Sequence, residues 1–196
     1  MMALTPRNAR LATAVIAGAL ALASCASAPP QTFDLNAALG PGGANLRASL
    51  AIREPVASAD IDSQRILVRT SRDTVANLAG AQWADRLPAL LQARLVQSFQ
   101  NARQLRFVGR AGAGFVADFE MELDIRAFEL DVTKSQASVD IAVKIVGAHS
   151  GRVVAAQIFT ARVPAAGTGG VETAAALNMA LESVMRQIMR FASAHV

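Results

Sequence analysis

Residues 117–127 alternate without interruption. Phe119, Met121, Leu123 and Ile125 fall on one side, and Asp118, Glu120, Glu122 and Asp124 on the other. A period of two over this length predicts a β-strand with one buried face and one wet face. Such a strand buries its apolar side only inside a larger layer with a cover on one face. At Ala127-Phe128 the parity shifts, and Phe128 and Leu130 continue the apolar side. A shift of that kind predicts a β-bulge.

The flanking segments supply the layer. Residues 138–146 alternate again, with Val139, Ile141, Val143 and Ile145 inward, and His149-Ser150-Gly151 reads as a hairpin turn. Residues 152–163 are apolar on both sides at Val153, Val154, Ile158 and Phe159, which predicts a strand inside the sheet. Thr32-Phe33-Asp34-Leu35 is expected to open the domain as a short strand, before a loop over 36–45 rich in Gly and Pro. Leu46, Ala48, Leu50 and Ile52 alternate with Arg47, Ser49 and Arg53, the pattern of a half-buried strand. Residues 61–69, 74–78 and 105–108 read as further short strands, with Gly80 as a break.

Two helices complete the cover. Trp83-Ala84-Asp85-Arg86-Leu87-Pro88 is expected to open the first, with Asp85 as N-cap and Pro88 tolerable only in the first turn. Leu87, Leu90, Leu91, Leu95 and Phe99 share one face at helical spacing, fading near Asn101. From Val171 onward, Leu177, Leu181, Val184, Ile188 and Phe191 form a second stripe, widened by Met185. Glu172 near its start and Arg190 near its end both suit the helix dipole. The fold expected is α+β: a mixed, mostly antiparallel sheet with two amphipathic helices packed on one face, in a single domain over 32–196.

Arg7 and Arg10, an apolar run from Leu11 to Leu22, then Ala23 and Ser24 predict a secretory signal over 1–24. The run is shorter than the ~20 apolar residues of a lasting membrane span. Leu22-Ala23-Ser24-Cys25 resembles the lipobox of bacterial lipoproteins. That resemblance implies cleavage before Cys25, lipidation of its thiol and acylation of the new N-terminus, with palmitate among the acyl groups. A thiolate suits the first step because it is the most nucleophilic side chain, and two or more acyl chains anchor stably. Residues 25–31, with Pro29-Pro30, then read as a lipidated tether. The same resemblance implies the outer membrane, facing the periplasm, because Ala26 and not Asp follows the cysteine.

The chain has 196 residues with 19 basic against 15 acidic side chains, a net charge of +4. Losing the first 24 removes Arg7 and Arg10 and leaves 172 residues, 17 basic against 15 acidic, a net charge of only +2. That balance does not call for a nucleic-acid partner. With Cys25 taken by lipid, no cysteine remains for a disulfide or a thiolate metal site.

Several stretches carry a resemblance, in order along the chain: the lipobox, Thr32-Phe33-Asp34-Leu35, Ile66-Leu67-Val68-Arg69, Trp83-Ala84-Asp85-Arg86-Leu87, Phe128-Glu129 and the helix over 174–181. The chain resembles the ABC-type transport auxiliary lipoprotein family, which includes the paraquat-inducible protein C lipoproteins. The resemblance implies a non-enzymatic accessory of envelope lipid transport, with a permease, an ATPase and MCE-domain proteins as the wider system. The lipoprotein would dock or receive the MCE conduit at the outer membrane, alone or with copies of itself, and would need no cofactor. A structural lipoprotein of an outer-membrane complex and a lipid-binding periplasmic carrier are the competing readings.

Among the polar features, the stripe of Asp118, Glu120, Glu122 and Asp124 reads first as a solvated face offset by Lys144 or Arg152. The sharper reading is an electrostatic contact for a partner or a sister subunit. Met179, Met185 and Met189 read as core filling, or as an adaptable lipid or protein groove. His149 and His195 stand apart, which argues against a metal site and against a Ser-His-Asp hydrolase. Residues 112–117 spell a Gly-rich pattern but run into a strand, so they read as a turn. Gly167-Thr168-Gly169-Gly170 precedes a helix without a following lysine and reads as a loop.

Overall fold

The order of elements is β1 (Gln31–Phe33), β2 (Ser49–Ile52), β3 (Val56–Ala57), β4 (Arg65–Arg69), β5 (Val75–Trp83), α1 (Leu87–Ala102), β6 (Phe107–Arg110), β7 (Phe119–Asp131), β8 (Gln136–Gly147), β9 (Val153–Pro164) and α2 (Gly170–His195). The structure is a computed structural model and describes residues 28–40 and 48–196. The signal at 1–24, Cys25, the first part of the tether, and Leu46 and Arg47 lie outside the described residues.

The long alternating strand of the sequence is β7, and the sheet is built around it. One edge pairs with β8 in antiparallel register along its whole length. The other edge is shared end to end by three short parallel strands: β2 beside Phe119–Met121, β3 beside Asp124–Ile125 and β4 beside Glu129–Asp131. β6 then flanks β2, β5 flanks β4, and β1 joins β5. β9 pairs with β8. The long ladders are antiparallel and the parallel ones are short, so the sheet is mixed and largely antiparallel, in an α+β fold. The expected bulge is present: the register shifts between Ile125 and Ala127 and Arg126 is left over.

Met121, Leu123 and Ile125 of β7 and Val139, Ile141, Val143 and Ile145 of β8 are buried against the helices. From α2 come Leu177, Leu181, Val184, Met185 and Ile188, and from α1 Leu91, Leu95 and Phe99. Burial of each large apolar side chain is worth roughly 1.5–3 kcal/mol. The helices touch where the Ser98 hydroxyl lies 3.8 Å from Met185 Sδ, and Gln92 Nε2 donates to the Ile52 carbonyl at 2.9 Å, tying α1 to β2.

Four local expectations are corrected. Residues 49–52 are buried on both faces rather than one: Ser49, on the outer face, lies under Asp118 and Arg106, and Ala51 shares a pocket lining with Phe115 and Val116 of the turn before β7. Gly80 does not break the chain: β5 runs through it with φ +69°, inside a bulge in which Arg65 and Leu67 pair with Gln82 and Asn77. Only glycine adopts that backbone freely. Trp83 ends β5 instead of opening a helix, because its N–H donates to the Gln64 carbonyl at 2.7 Å and its ring packs edge-on to Phe128. α1 therefore starts at Leu87 with Arg86, not Asp85, at the N-cap, and Pro88 stays in the first turn. Finally, β9 is an edge strand, not an interior one, since β8 is its partner on one side and no described strand lies on the other.

Candidate functional surfaces

The outward side chains of β7 form the acidic stripe, on the face away from the helices, and each position has a different environment. Ser49 binds Asp118 through its N–H and its hydroxyl, both at 2.7 Å from Oδ2, and Arg106 approaches the same oxygen at 3.2 Å. The Ser49 hydroxyl, then its N–H, with Arg106 adding charge, hold the Asp118 carboxyl below its ordinary range. Arg53 bridges Glu120 at 3.1 Å and Glu122 at 3.3 Å. Asp124 is exposed and forms no ion pair among the described residues. The sequence suggested Lys144 or Arg152 as counter-charges. Lys144 does stand opposite Glu122 in the register, but the ion pairs go to Arg53 and Arg106. Arg53 is 67 residues from Glu120 and reaches it through the parallel pairing of β2, while Arg106, 12 residues before Asp118, reaches it from the residue preceding β6; no local pattern announces either.

The same outward face continues across β8 and β9 in register rows. Glu122 is followed by Lys144 and Ala156, and Asp124 by Ala142 and Ile158. Beyond it lies the free edge of β9. Between Arg152 and Arg162 that strand carries no charge, and Val153, Val154 and Ile158 are exposed. A charged stripe and an uncharged, apolar edge thus share one uncovered surface.

At the far end of β7 the polar groups face each other instead of solvent. Arg69 grips the Glu129 carboxylate with two bonds, Nε to Oε1 at 2.6 Å and a terminal nitrogen to Oε2 at 3.0 Å. Lys134 Nζ bonds Asp131 Oδ2 at 2.6 Å, and the Thr133 hydroxyl bonds Oδ1 at the same distance. Lys134 first, then Thr133, hold Asp131 down to about 2. Lys134 and Thr133 brace the turn after β7, and Arg69 ties β4 to β7.

The remaining candidates separate cleanly. His149 sits in the β8–β9 turn, while His195 ends α2 with Nδ1 2.7 Å from the Phe191 carbonyl. Among the described residues, no three His, Cys, Asp or Glu gather around a common point. Gly112 and Gly114 turn the chain between β6 and β7 with φ near +80°. At the start of α2, the Glu172 side chain folds back over Gly167 and Gly169 and occupies the N-terminal end of the helix itself. Met185 and Met189 are core residues, whereas Met179 lines an open groove of about 360 Å³ with Phe33, Val171 and Ala175. Cys25 lies outside the described residues.

A family model described as the ABC-type transport auxiliary lipoprotein component matches residues 33–189. A protein of Bradyrhizobium diazoefficiens, bll6063, is 36% identical over 136 residues, spanning 67% of this chain and 36% of that protein. The crystal structure of XCC0632 from Xanthomonas campestris superimposes with a TM-score of 0.78 at 25% identity, over 84% of this chain and 95% of that one. A second solved structure, of an uncharacterised protein, shares the fold at a TM-score of 0.68 and 13% identity, over 84% of this chain and 99% of that one.

Proposed function

Because the chain belongs to the ABC-type transport auxiliary lipoprotein family, we propose that it is the outer-membrane accessory of an ABC system that moves lipid across the envelope. In this reading Cys25 carries the acyl chains, the tether spans from the membrane and ends at Pro30, because Gln31 is already paired in β1, and the domain docks or receives an MCE-domain conduit from the periplasmic side. The permease and ATPase act through that conduit, and several copies of the lipoprotein can surround its end.

The observation that favours docking over carriage is the filled interior. The space between sheet and helices is occupied by Leu, Ile, Val, Met and Phe side chains that are almost wholly buried, whereas a carrier of an acyl chain needs a cavity of several hundred Å³. The outward face of β7, β8 and β9 has the mixture a docking surface uses: charges that orient a partner, here Glu120, Glu122 and Asp124, beside an apolar edge. Arg53 neutralises the stripe only in part, so a basic partner surface is favoured.

The experiment is mild-detergent purification of the tagged lipoprotein from its own membranes, read by mass spectrometry. Co-purification of an MCE-domain protein with its permease and ATPase is the expected result, with yield reduced by Glu122→Lys combined with Asp124→Lys. Recovery of outer-membrane assembly factors alone transfers the protein to the structural reading. Bound lipid without a protein partner transfers it to the carrier reading. Cys25→Ser is expected to leave the domain folded and release it from the membrane; a variant still found in the outer-membrane fraction removes the lipid anchor.

A further inference from the structure

The end of the domain that receives the tether carries a second exposed apolar surface, apart from the edge of β9. Three segments distant in sequence meet there. β1 lies in register on the end of β5, Gln31 beside Ala81 and Phe33 beside Trp83. Gly170, the first residue of α2, is packed so closely that an added Cβ would stand 3.1 Å from the Ala81 methyl and 3.3 Å from the Phe33 ring. α2 then presents Val171, Ala175 and Met179 at a spacing of four, one stripe on the helix surface. Val171 is 56% and Met179 50% exposed, and together with Phe33 they line the groove of about 360 Å³.

Its lining holds one charge, Asp34, and two amides, Asn36 and Asn178, and the segments around them are uncharged. Residues 28–33, 74–83 and 163–171 contain no Asp, Glu, Lys or Arg, and neither do residues 173–181. The Asp34 carboxylate within the groove and the Glu172 carboxylate at its border are both already engaged. Asp34 is bonded to Arg94, which holds its carboxyl below the ordinary range, and the Glu172 carboxylate folds back over Gly167 and Gly169. A partly apolar patch whose one carboxylate is paired with Arg94 suits a contact, and its lack of net charge argues against a charged partner.

The chain itself says how far this patch can stand from a membrane. Resting on the lipid anchor proposed above, Cys25 precedes Gln31 by six residues, which reach at most roughly 20 Å when fully extended. Phe33 follows two residues later. A bilayer interface is the one surface that this tether keeps permanently within reach, and a zwitterionic headgroup layer matches a patch without net charge. We therefore propose that the groove of Phe33, Val171, Ala175 and Met179 lies against the lipid interface, so that the domain is oriented on the membrane and not merely tied to it. The acyl chains supply the affinity, and the patch adds a small burial of apolar side chains in the interface that selects one orientation. The N-terminal end of β9 stands a 12-residue strand away from the loop into α2, and so remote from the patch along that strand.

The test uses the full chain produced with its signal and extracted from membranes. Lipidation converts the Cys25 thiol to a thioether, so a cysteine introduced elsewhere is the one that takes a thiol-reactive environment-sensitive fluorophore. Val171→Cys and Met179→Cys report the patch. Val154→Cys, an equally exposed valine at the far end of β9, is the control. In phosphatidylcholine vesicles containing spin-labelled lipid, the two patch labels are expected to shift to the blue and be quenched by the lipid. The Val154 label is expected to do neither, and raising the salt is expected to change nothing, since no exposed cation holds the patch down. Patch labels as open to aqueous quencher as the Val154 label overturn the orientation. Patch labels shielded from water but not quenched by lipid, and cross-linkable to a protein, overturn it in favour of a protein interface. Flotation and labelling of the wild-type protein separate this from the anchor. A wild type that takes up label at Cys25 and stays out of the vesicle fraction defeats the anchor itself, and the orientation with it.

Discussion

Asp131 closes β7 with its carboxylate over the turn that follows, and its protonation is coupled to folding. Lys134 and Thr133 hold its carboxyl at about 2 against 3.8 in an unconstrained chain. A folded value below the unfolded one means the stabilisation is complete above 3.8 and is lost as pH falls toward 2. Asp131→Asn is therefore expected to melt lower than wild type at neutral pH, with the gap narrowing across that acid window. A gap of constant size would show that the charge is not what holds the turn. Glu129 behaves differently, because its carboxylate is buried and depends on the two bonds from Arg69. Arg69→Met is expected to cost about 2 kcal/mol in urea denaturation, mostly as the desolvated carboxylate left behind. Adding Glu129→Gln should restore part of that loss, and a double variant no better than the single one would contradict the account.

β9 shows how the two faces of a strand diverge. Phe159 turns toward α2, is buried, and meets Phe191 at 5.3 Å between ring centres, while its neighbour Ile158 faces solvent. Phe159→Ala is expected to cost about 3 kcal/mol as a cavity forms. Ile158→Lys should change stability by less than about 0.5 kcal/mol and raise solubility, because a charge on a free edge blocks edge-to-edge pairing. Equal losses from the two would mean that the outer face is covered after all. The element was legible in the sequence, and its place in the sheet was not. Apolar residues on both sides describe a strand covered twice and a strand with an open apolar face equally well. β7 and β8 were read correctly down to the bulge, because alternation carries the identity of the buried face within the strand itself. The start of α1 was misread because Trp83 is committed to β5 by the distant Gln64 carbonyl and the Phe128 ring.

At the level of the whole molecule, both helices and the sheet share one core, and Trp83 is buried within it. Opening any one layer exposes the others, so unfolding is expected to be a single transition. Far-UV circular dichroism and the fluorescence of Trp83 should give the same midpoint in urea. Fluorescence lost at lower urea than helicity would divide the β1–β5 side of the domain from the helical layer.

What the sequence determined by itself was whatever repeats along the chain: the strand periods of β7 and β8, the apolar stripes of both helices, the α+β class, and the order of motifs that pointed to the auxiliary lipoprotein family. These are local, because a side chain's face follows from its position in a period of 2 or 3.6. The tertiary structure alone decided the counter-charges of the acidic stripe, the free edge of β9 and the meeting of β1, β5 and α2 in a patch without net charge. Each depends on which segments lie side by side in the fold, and no periodicity in one segment specifies which other segment will lie beside it.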